Sequence, residues 1–124
     1  MPMSVTSSTR RRERFRQLHE RGLFVMPNPW DLGSARILAS MGFHALATTS
    51  LGHAASLGKV DQTVTRDELV AHVAALSAAV DLPLNVDAER CFADDLVGVA
   101  ETVTLLAEAG AAGCSIETTT PRER

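Results

Sequence analysis

The stretch LPLNVDAERCFADD, residues 82–95, starts with apolar and β-prone positions and ends in acidic ones. Asp87 and Glu89 follow the apolar run directly, and Asp94 and Asp95 come a few residues later. Runs of this kind form buried strands, and carboxylates just before an apolar periodic segment favour a helix start. We therefore predict a strand over 82–88, acidic side chains at its carboxyl end, and a helix that begins near residue 94.

Outward from this stretch, Gly and Pro divide the chain into alternating apolar runs and amphipathic segments. Helices are predicted over 8–21, 31–41, 65–80 and 94–109, strands over 23–27, 45–50, 82–88 and 112–117, and a loop over 51–64. This β-α-β-α-β-α-β order predicts an α/β fold with a parallel sheet and right-handed crossovers. Because neither GxGxxG nor GxxxxGK[ST] is present, a TIM-type (β/α)8 barrel is favoured, with about its first four βα units. Residues 1–22 are interpreted as an N-terminal arm and helix, and 23–124 as the N-terminal half of the barrel, an incomplete domain.

Composition limits the classes of partner. The 124 residues are 45% hydrophobic and 22% charged, with a net charge of −3, which favours a globular protein and argues against nucleic acid as the main partner. No apolar run approaches the roughly 20 residues of a membrane span, so no membrane association is predicted. Cys91 and Cys114 lack metal-ligand spacing. They are interpreted as reduced thiols, which indicates a cytoplasmic protein.

Polar residues follow each predicted strand, and in a parallel barrel they meet at one rim. Three carboxylates belong to this group, Asp87, Glu89 and Glu117, and Asp61 of the predicted loop is a candidate fourth. Unpaired, they would repel one another, and a hard cation with oxygen ligands, Mg²⁺ or Mn²⁺, relieves that repulsion. The competing interpretations are a turn role for Asp87, helix capping by Asp94 and Asp95, a surface position for His53, and a core position for Trp30 rather than one in a pocket wall.

Several segments together carry a family resemblance: VMPNPWDLGSARIL, ALATTSLGHAASLGKVD, TRDELVAHV, LPLNVDAE and AGAAGCSIE. In this order and at these spacings, the chain resembles the isocitrate lyase/phosphoenolpyruvate mutase superfamily from about residue 13 to 117. The resemblance implies a (β/α)8 barrel, often with a terminal helix swapped between subunits, and hence a homo-oligomer at full length.

The resemblance also implies a chemistry. Members of the superfamily use Mg²⁺ to make or break C–C or P–C bonds of small 2-oxo or 2-hydroxy acids through a pyruvate-like enolate. Thr49, Ser50 and Leu51 match the segment that receives the substrate carboxylate, partly through backbone N–H groups. The acidic shell around Mg²⁺ matches Asp61, Asp87, Glu89 and Glu117, with Asp87 as the direct ligand and the others acting mainly through water.

The chain departs from the family pattern in three places. Cys91, Phe92 and Ala93 stand where the family usually has Gly-aromatic-Gly, and Thr118 stands where a second acid usually follows Glu117. The gating loop, with its Lys, should come next, but the sequence there reads TTTPRER. Catalytic acid and base residues are therefore unassigned. The alternative interpretation is a truncated, inactive fragment that binds metal or associates with itself.

Overall fold

Helices and strands alternate along residues 5–118, the part of the chain that this computed structural model describes. In chain order they are α1 Val5–Leu18, α2 Leu32–Ser40, β1 Leu46–Ala47, α3 Ser50–Ser56, α4 Arg66–Ala79, β2 Leu84–Asp87, α5 Leu96–Ala109 and β3 Gly113–Ser115. Three strands form one parallel sheet in the order β1-β2-β3, as predicted for successive βα units. None of the helices in this part of the chain is long and apolar enough to cross a membrane.

The two faces of the sheet differ in character. Along β2, Leu84 and Val86 are buried, whereas Asn85 and Asp87 are only partly buried on the opposite face. The buried face packs against α2, α4 and α5 in one apolar cluster, whose larger members include Leu46, Leu69, Val73, Leu76, Leu84, Val86 and Leu106. The polar side chains of β2 therefore point away from the helix layer.

Helix α1 packs against the opposite face of the sheet. Gly113, the register partner of Asn85, lies so close to Phe15 that a Cβ at position 113 would be 2.6 Å from the Phe15 ring. Arg11 is buried, and its Nη1 donates to the Ser77 carbonyl 2.8 Å away at the end of α4. The leading helix is thus attached to the sheet and to α4, although its sequence is rich in arginine.

The predicted first strand over 23–27 is wrong. Pro27 accepts a hydrogen bond from the Ala47 N–H at 3.1 Å, so this segment ends beside β1, but it is not a strand. Pro27 and Pro29 have no N–H to donate to a ladder, and Leu23 is fully exposed. The segment therefore has the position of a first strand without its hydrogen-bond pattern.

The predicted strand over 45–50 and the loop that follows it are also corrected. The strand is confined to Leu46–Ala47, and helix α3, Ser50–Ser56, occupies the last residue of the predicted strand and the start of the predicted loop. Thr49 leaves the sheet because its hydroxyl caps α3 by accepting from the Gly52 N–H at 3.3 Å. A β-branched residue that favours a strand is used here as a helix cap.

Candidate active site

Hydrogen bonds align the carboxyl ends of the three strands at one edge of the sheet. The Thr48 hydroxyl accepts from the Asp87 N–H at 2.9 Å, which joins β1 to β2. The Ala88 N–H donates to the Ser115 carbonyl at 3.0 Å, which joins the end of β2 to β3. The residues that follow each strand therefore share one edge, as the barrel prediction requires.

Asp87 connects two groups of predicted site residues. Its Oδ2 accepts from the Ser50 N–H at 3.3 Å, and its Oδ1 accepts from the Glu89 N–H at 3.1 Å. Thr49 and Leu51 flank Ser50 at the start of α3, and Leu51 is 61% exposed. The predicted substrate segment and the predicted metal ligand are thus in direct contact.

The other carboxylates are held in different ways. Glu89 is buried, and its carbonyl accepts from the Glu117 N–H at 2.7 Å, so these two residues are neighbours in the fold. Asp61 lies in the turn between α3 and α4, where its carboxylate accepts from the Gln62 amide at 3.4 Å. Within residues 5–118, no three His, Cys, Asp or Glu side chains are grouped so that they could hold a metal ion. The four-carboxylate shell stays a prediction.

The donor chemistry at Asp87 nevertheless suits Mg²⁺. Each of its oxygens accepts one backbone N–H and keeps a further lone pair for a cation. Mg²⁺ retains several waters and needs only one or two protein carboxylates, so a complete protein cage is not required. The donor chemistry of Asp87 therefore fits a direct ligand of the cation, and a role for the remaining acids through water stays a prediction.

The loop after β2 has an unusual backbone. Glu89, Cys91 and Phe92 have φ values of 54°, 60° and 54°, in the left-handed region that favours glycine. The buried hydroxyl of Thr102 donates to the Cys91 carbonyl at 2.7 Å, and the Cys91 N–H donates to Ala88 at 2.8 Å. Burial raises the pKa of the completely buried Cys91 thiol, which favours a packing role for this residue.

A histidine pair behind the strand edge was not predicted. His53 lies in α3, not in a loop, and is buried instead of being on the surface. Its ring stacks on His72 of α4 with centroids 3.7 Å apart. Burial, reinforced by His53, lowers the pKa of His72 to about 4, and burial also lowers the pKa of His53. Both rings are therefore neutral near pH 7.

Sequence periodicity could have located His72 but not Trp30. His72 shares its helix face with Leu69, Val73 and Leu76, the i, i+3, i+4 spacing of a buried stripe. Trp30 is 60% exposed and lines two cavities of about 470 and 550 Å³, so the favoured core position for this residue is wrong. It is a wall residue, because the start of α3 lies beside its indole.

Comparisons with known proteins agree with the resemblance. A family model described as phosphoenolpyruvate phosphomutase matches residues 15–124. A crystal structure of a Burkholderia cenocepacia J2315 protein is 52% identical with a TM-score of 0.91, covering 94% of this chain and 42% of that one. That of 2,3-dimethylmalate lyase, named as a PEP mutase/isocitrate lyase superfamily member, is 29% identical with a TM-score of 0.79, covering 94% of this chain and 41% of that one.

Among curated proteins, the "Probable 2-methylisocitrate lyase 2" of Corynebacterium glutamicum is 34% identical over 116 residues, which are 92% of this chain and 38% of that protein. The chain spans between 34% and 38% of the length of the curated relatives it matches. The predicted fold class is confirmed, as a part of these larger α/β enzymes.

Proposed function

This chain belongs to the phosphoenolpyruvate mutase/isocitrate lyase superfamily of lyases and mutases, and we propose that it contributes the metal and carboxylate-binding half of a Mg²⁺- or Mn²⁺-dependent lyase or mutase. The reaction is cleavage of a C–C or P–C bond in a small 2-oxo or 2-hydroxy acid through a pyruvate-like enolate. The observation that carries the proposal is the contact between the Ser50 N–H and the Asp87 carboxylate.

This contact supports the proposal because the chemistry needs two adjacent functions. Thr49, Ser50 and Leu51 receive the substrate carboxylate, and Asp87 holds the cation, with Glu89 and Glu117 acting through water. When bound, the cation stabilises the negative charge that develops on the enolate oxygen. The Thr48 hydroxyl accepts from the Asp87 N–H and fixes the backbone of Asp87 relative to β1.

The remaining parts of the proposal concern the whole enzyme. We propose a homo-oligomer in the cytoplasm, with a small-molecule substrate and neither nucleic acid nor membrane as a partner. No general acid or base is assigned within residues 5–118, and the chain spans at most 38% of the length of the curated relatives it matches. The second candidate function is binding of metal without turnover, and it rests on the two N–H contacts of the Asp87 carboxylate without an assigned acid or base.

The test measures binding of Mn²⁺ and of oxalate, an enolate mimic, by calorimetry. The melting midpoint is then measured in the presence of Mg²⁺ and oxalate. A ligand that binds only the folded state raises the midpoint by mass action. We expect Asp87→Asn to weaken Mn²⁺ binding at least about tenfold, since it removes the charge that the cation requires. The matched control Asp67→Asn changes an exposed carboxylate in α4 and should bind as the wild type does.

Three outcomes separate the candidates. Equal Mn²⁺ affinity in wild type and Asp87→Asn would refute the metal site. Binding of metal and oxalate without turnover of 2-methylisocitrate, oxaloacetate or phosphonopyruvate would favour the binding fragment. Turnover that Asp87→Asn abolishes would establish the lyase or mutase for this chain itself.

A further inference from the structure

Trp30 and Gly52 form a close contact between the start of α2 and the first turn of α3. A Cβ on Gly52 would lie 2.6 Å from Trp30 Cδ1 and 2.7 Å from Thr49 Cγ2. Real Cβ atoms essentially never approach other atoms so closely, and a side chain at position 52 would therefore force the indole or the threonine methyl group to shift. Glycine weakens a helix by roughly 1 kcal/mol relative to alanine, so its presence in α3 indicates a packing requirement.

The backbone of Trp30 is held independently of α3. Its N–H donates to the Ser34 hydroxyl at 2.8 Å, and the Asp31 carboxylate accepts from the Ser34 N–H at 2.9 Å in a capping box. The indole is thus carried by a rigid helix start, although 60% of the residue is exposed. A large aromatic side chain that is mostly exposed adds little to the packing of the core, and its main structural effect is on the neighbouring first turn of α3.

The contacts of Trp30 continue into the proposed site. The Gly52 N–H donates to the Thr49 hydroxyl at 3.3 Å. The Ser50 N–H, two residues earlier, donates to the Asp87 carboxylate at 3.3 Å. The same indole lines the cavity of about 550 Å³ that Thr49 and Leu51 also line. Displacement of the first turn of α3 would therefore move the N–H group that meets Asp87.

We propose that Trp30 is a positioning residue: by packing on Gly52 it holds the first turn of α3 against Asp87, and it thereby sets the affinity of the site for a small carboxylate in the presence of Mg²⁺. The effect on affinity rests on the proposed function. The effect on the first turn of α3 does not, because it concerns the protein without ligand.

The test combines amide hydrogen exchange with oxalate binding on the full 124-residue chain. In Trp30→Ala, we expect exchange at Ser50, Gly52 and His53 to accelerate at least tenfold while the amides of α4 are unchanged. Oxalate affinity in the presence of Mg²⁺ should fall about tenfold. Trp30→Phe should recover most of both properties, since a phenyl ring still covers Gly52. Ile37→Ala, which removes a 64% exposed apolar side chain from α2, is the matched control.

Gly52→Ala perturbs the contact from the other side and should accelerate exchange at the same amides. If Trp30→Ala does not fold cooperatively, the exchange rates of Gly52→Ala test the positioning role in its place. Unchanged exchange at Ser50 and Gly52 in a folded Trp30→Ala or Gly52→Ala variant would overturn the positioning role. If the wild type does not bind oxalate with Mg²⁺, the proposed function fails, and the exchange rates still decide the role of Trp30. The chain has one tryptophan and no tyrosine, so its emission offers an independent record of this contact.

Discussion

Replacement of Thr102 by valine tests how the acidic loop is held in place. Thr102 is completely buried in α5, and its Oγ1–H donates to the Cys91 carbonyl at 2.7 Å. Valine has nearly the same shape, so the substitution removes this donor while the surrounding packing is kept. Cys91 is itself completely buried, and its carbonyl has no ready access to water once the hydroxyl is lost.

The expected loss follows from this burial. A buried acceptor left without its donor costs about 1–3 kcal/mol, and we expect the free energy of unfolding to fall by about 2 kcal/mol. The loop also contains Glu89, Cys91 and Phe92 at positive φ, each of which stores roughly 1–2 kcal/mol of backbone strain. The Thr102 hydrogen bond is one of the restraints that oppose release of this strain, so amide exchange at residues 89–92 should also accelerate.

Urea unfolding of Thr102→Val against wild type measures the change. Thr104→Val is the matched control, because the Thr104 hydroxyl is exposed and bonds only within its own helix, to the Ala100 carbonyl at 3.0 Å. The control should lie within about 0.5 kcal/mol of wild type. A loss below about 0.5 kcal/mol in Thr102→Val, or an equal loss in both variants, would refute the reasoning.

Two further predictions concern the histidine pair and the end of α5. The folded chain should lose stability as the pH falls from about 6.5 towards 4. In this range His72 takes up a proton in the unfolded chain, whereas in the folded chain the buried ring, with its pKa of about 4, stays neutral until a lower pH. His72→Phe should flatten this pH dependence of the melting midpoint, whereas His44→Phe, at an exposed position, should leave it unchanged. Equal slopes in the wild type and in both variants would contradict this role of His72. Gly110→Ala should cost about 1–2 kcal/mol in urea unfolding, because Gly110 ends α5 at φ +114°. Gly33→Ala, at a position with room for a methyl group, should cost nothing, and a similar loss at both positions would argue against backbone strain as the cause.

Local hydrogen bonds explain why much of the fold could be predicted from the sequence. The capping box of Thr65 and Glu68, the cap at Asp95 and the stop at Gly110 all lie where the sequence predicts them. Each of these signals depends on partners only three or four residues away, so the sequence contains the whole interaction. The starts and the end of these helices are therefore confirmed almost to the residue.

The errors occur where a residue has a distant partner. Thr49 favours a strand by its β-branched side chain, but its neighbour Ser50 lies beside Asp87, 37 residues away. The cap that Thr49 makes on Gly52 spans only three residues, and strand propensity obscures it in the sequence. The segment that ends at Pro27 has the apolar pattern of a strand, but its pairing depends on residues around Ala47. Local propensity does not include the distant contacts at Asp87 and Ala47, so it extends a strand to residue 50 and predicts a strand over 23–27 that does not form.

The candidate site could be predicted only in part for the same reason. The family resemblance points to Asp87 and to the segment 49–51 as site residues, and the structure brings these two together. The spacing of Asp87 and Glu89 suggests two side chains on one face of an extended chain, but Glu89 has a positive φ and the chain turns there. The orientation of the second acid is therefore set by the loop and not by the period of a strand.

This loop also shows what the departures from the family pattern mean physically. Cys91 stands where the family usually has glycine, yet its φ of 60° lies in the region that glycine adopts most easily. The backbone has kept a glycine-like conformation without the glycine, and the Thr102 hydrogen bond and complete burial of Cys91 compensate for the strain. Ala93, at the second such position, lies against Gly98 in the first turn of α5, where a Cβ on residue 98 would be only 2.6 Å from it. At both positions where the family usually has glycine, the loop beside Asp87 is therefore in contact with α5, through Thr102 and through Gly98.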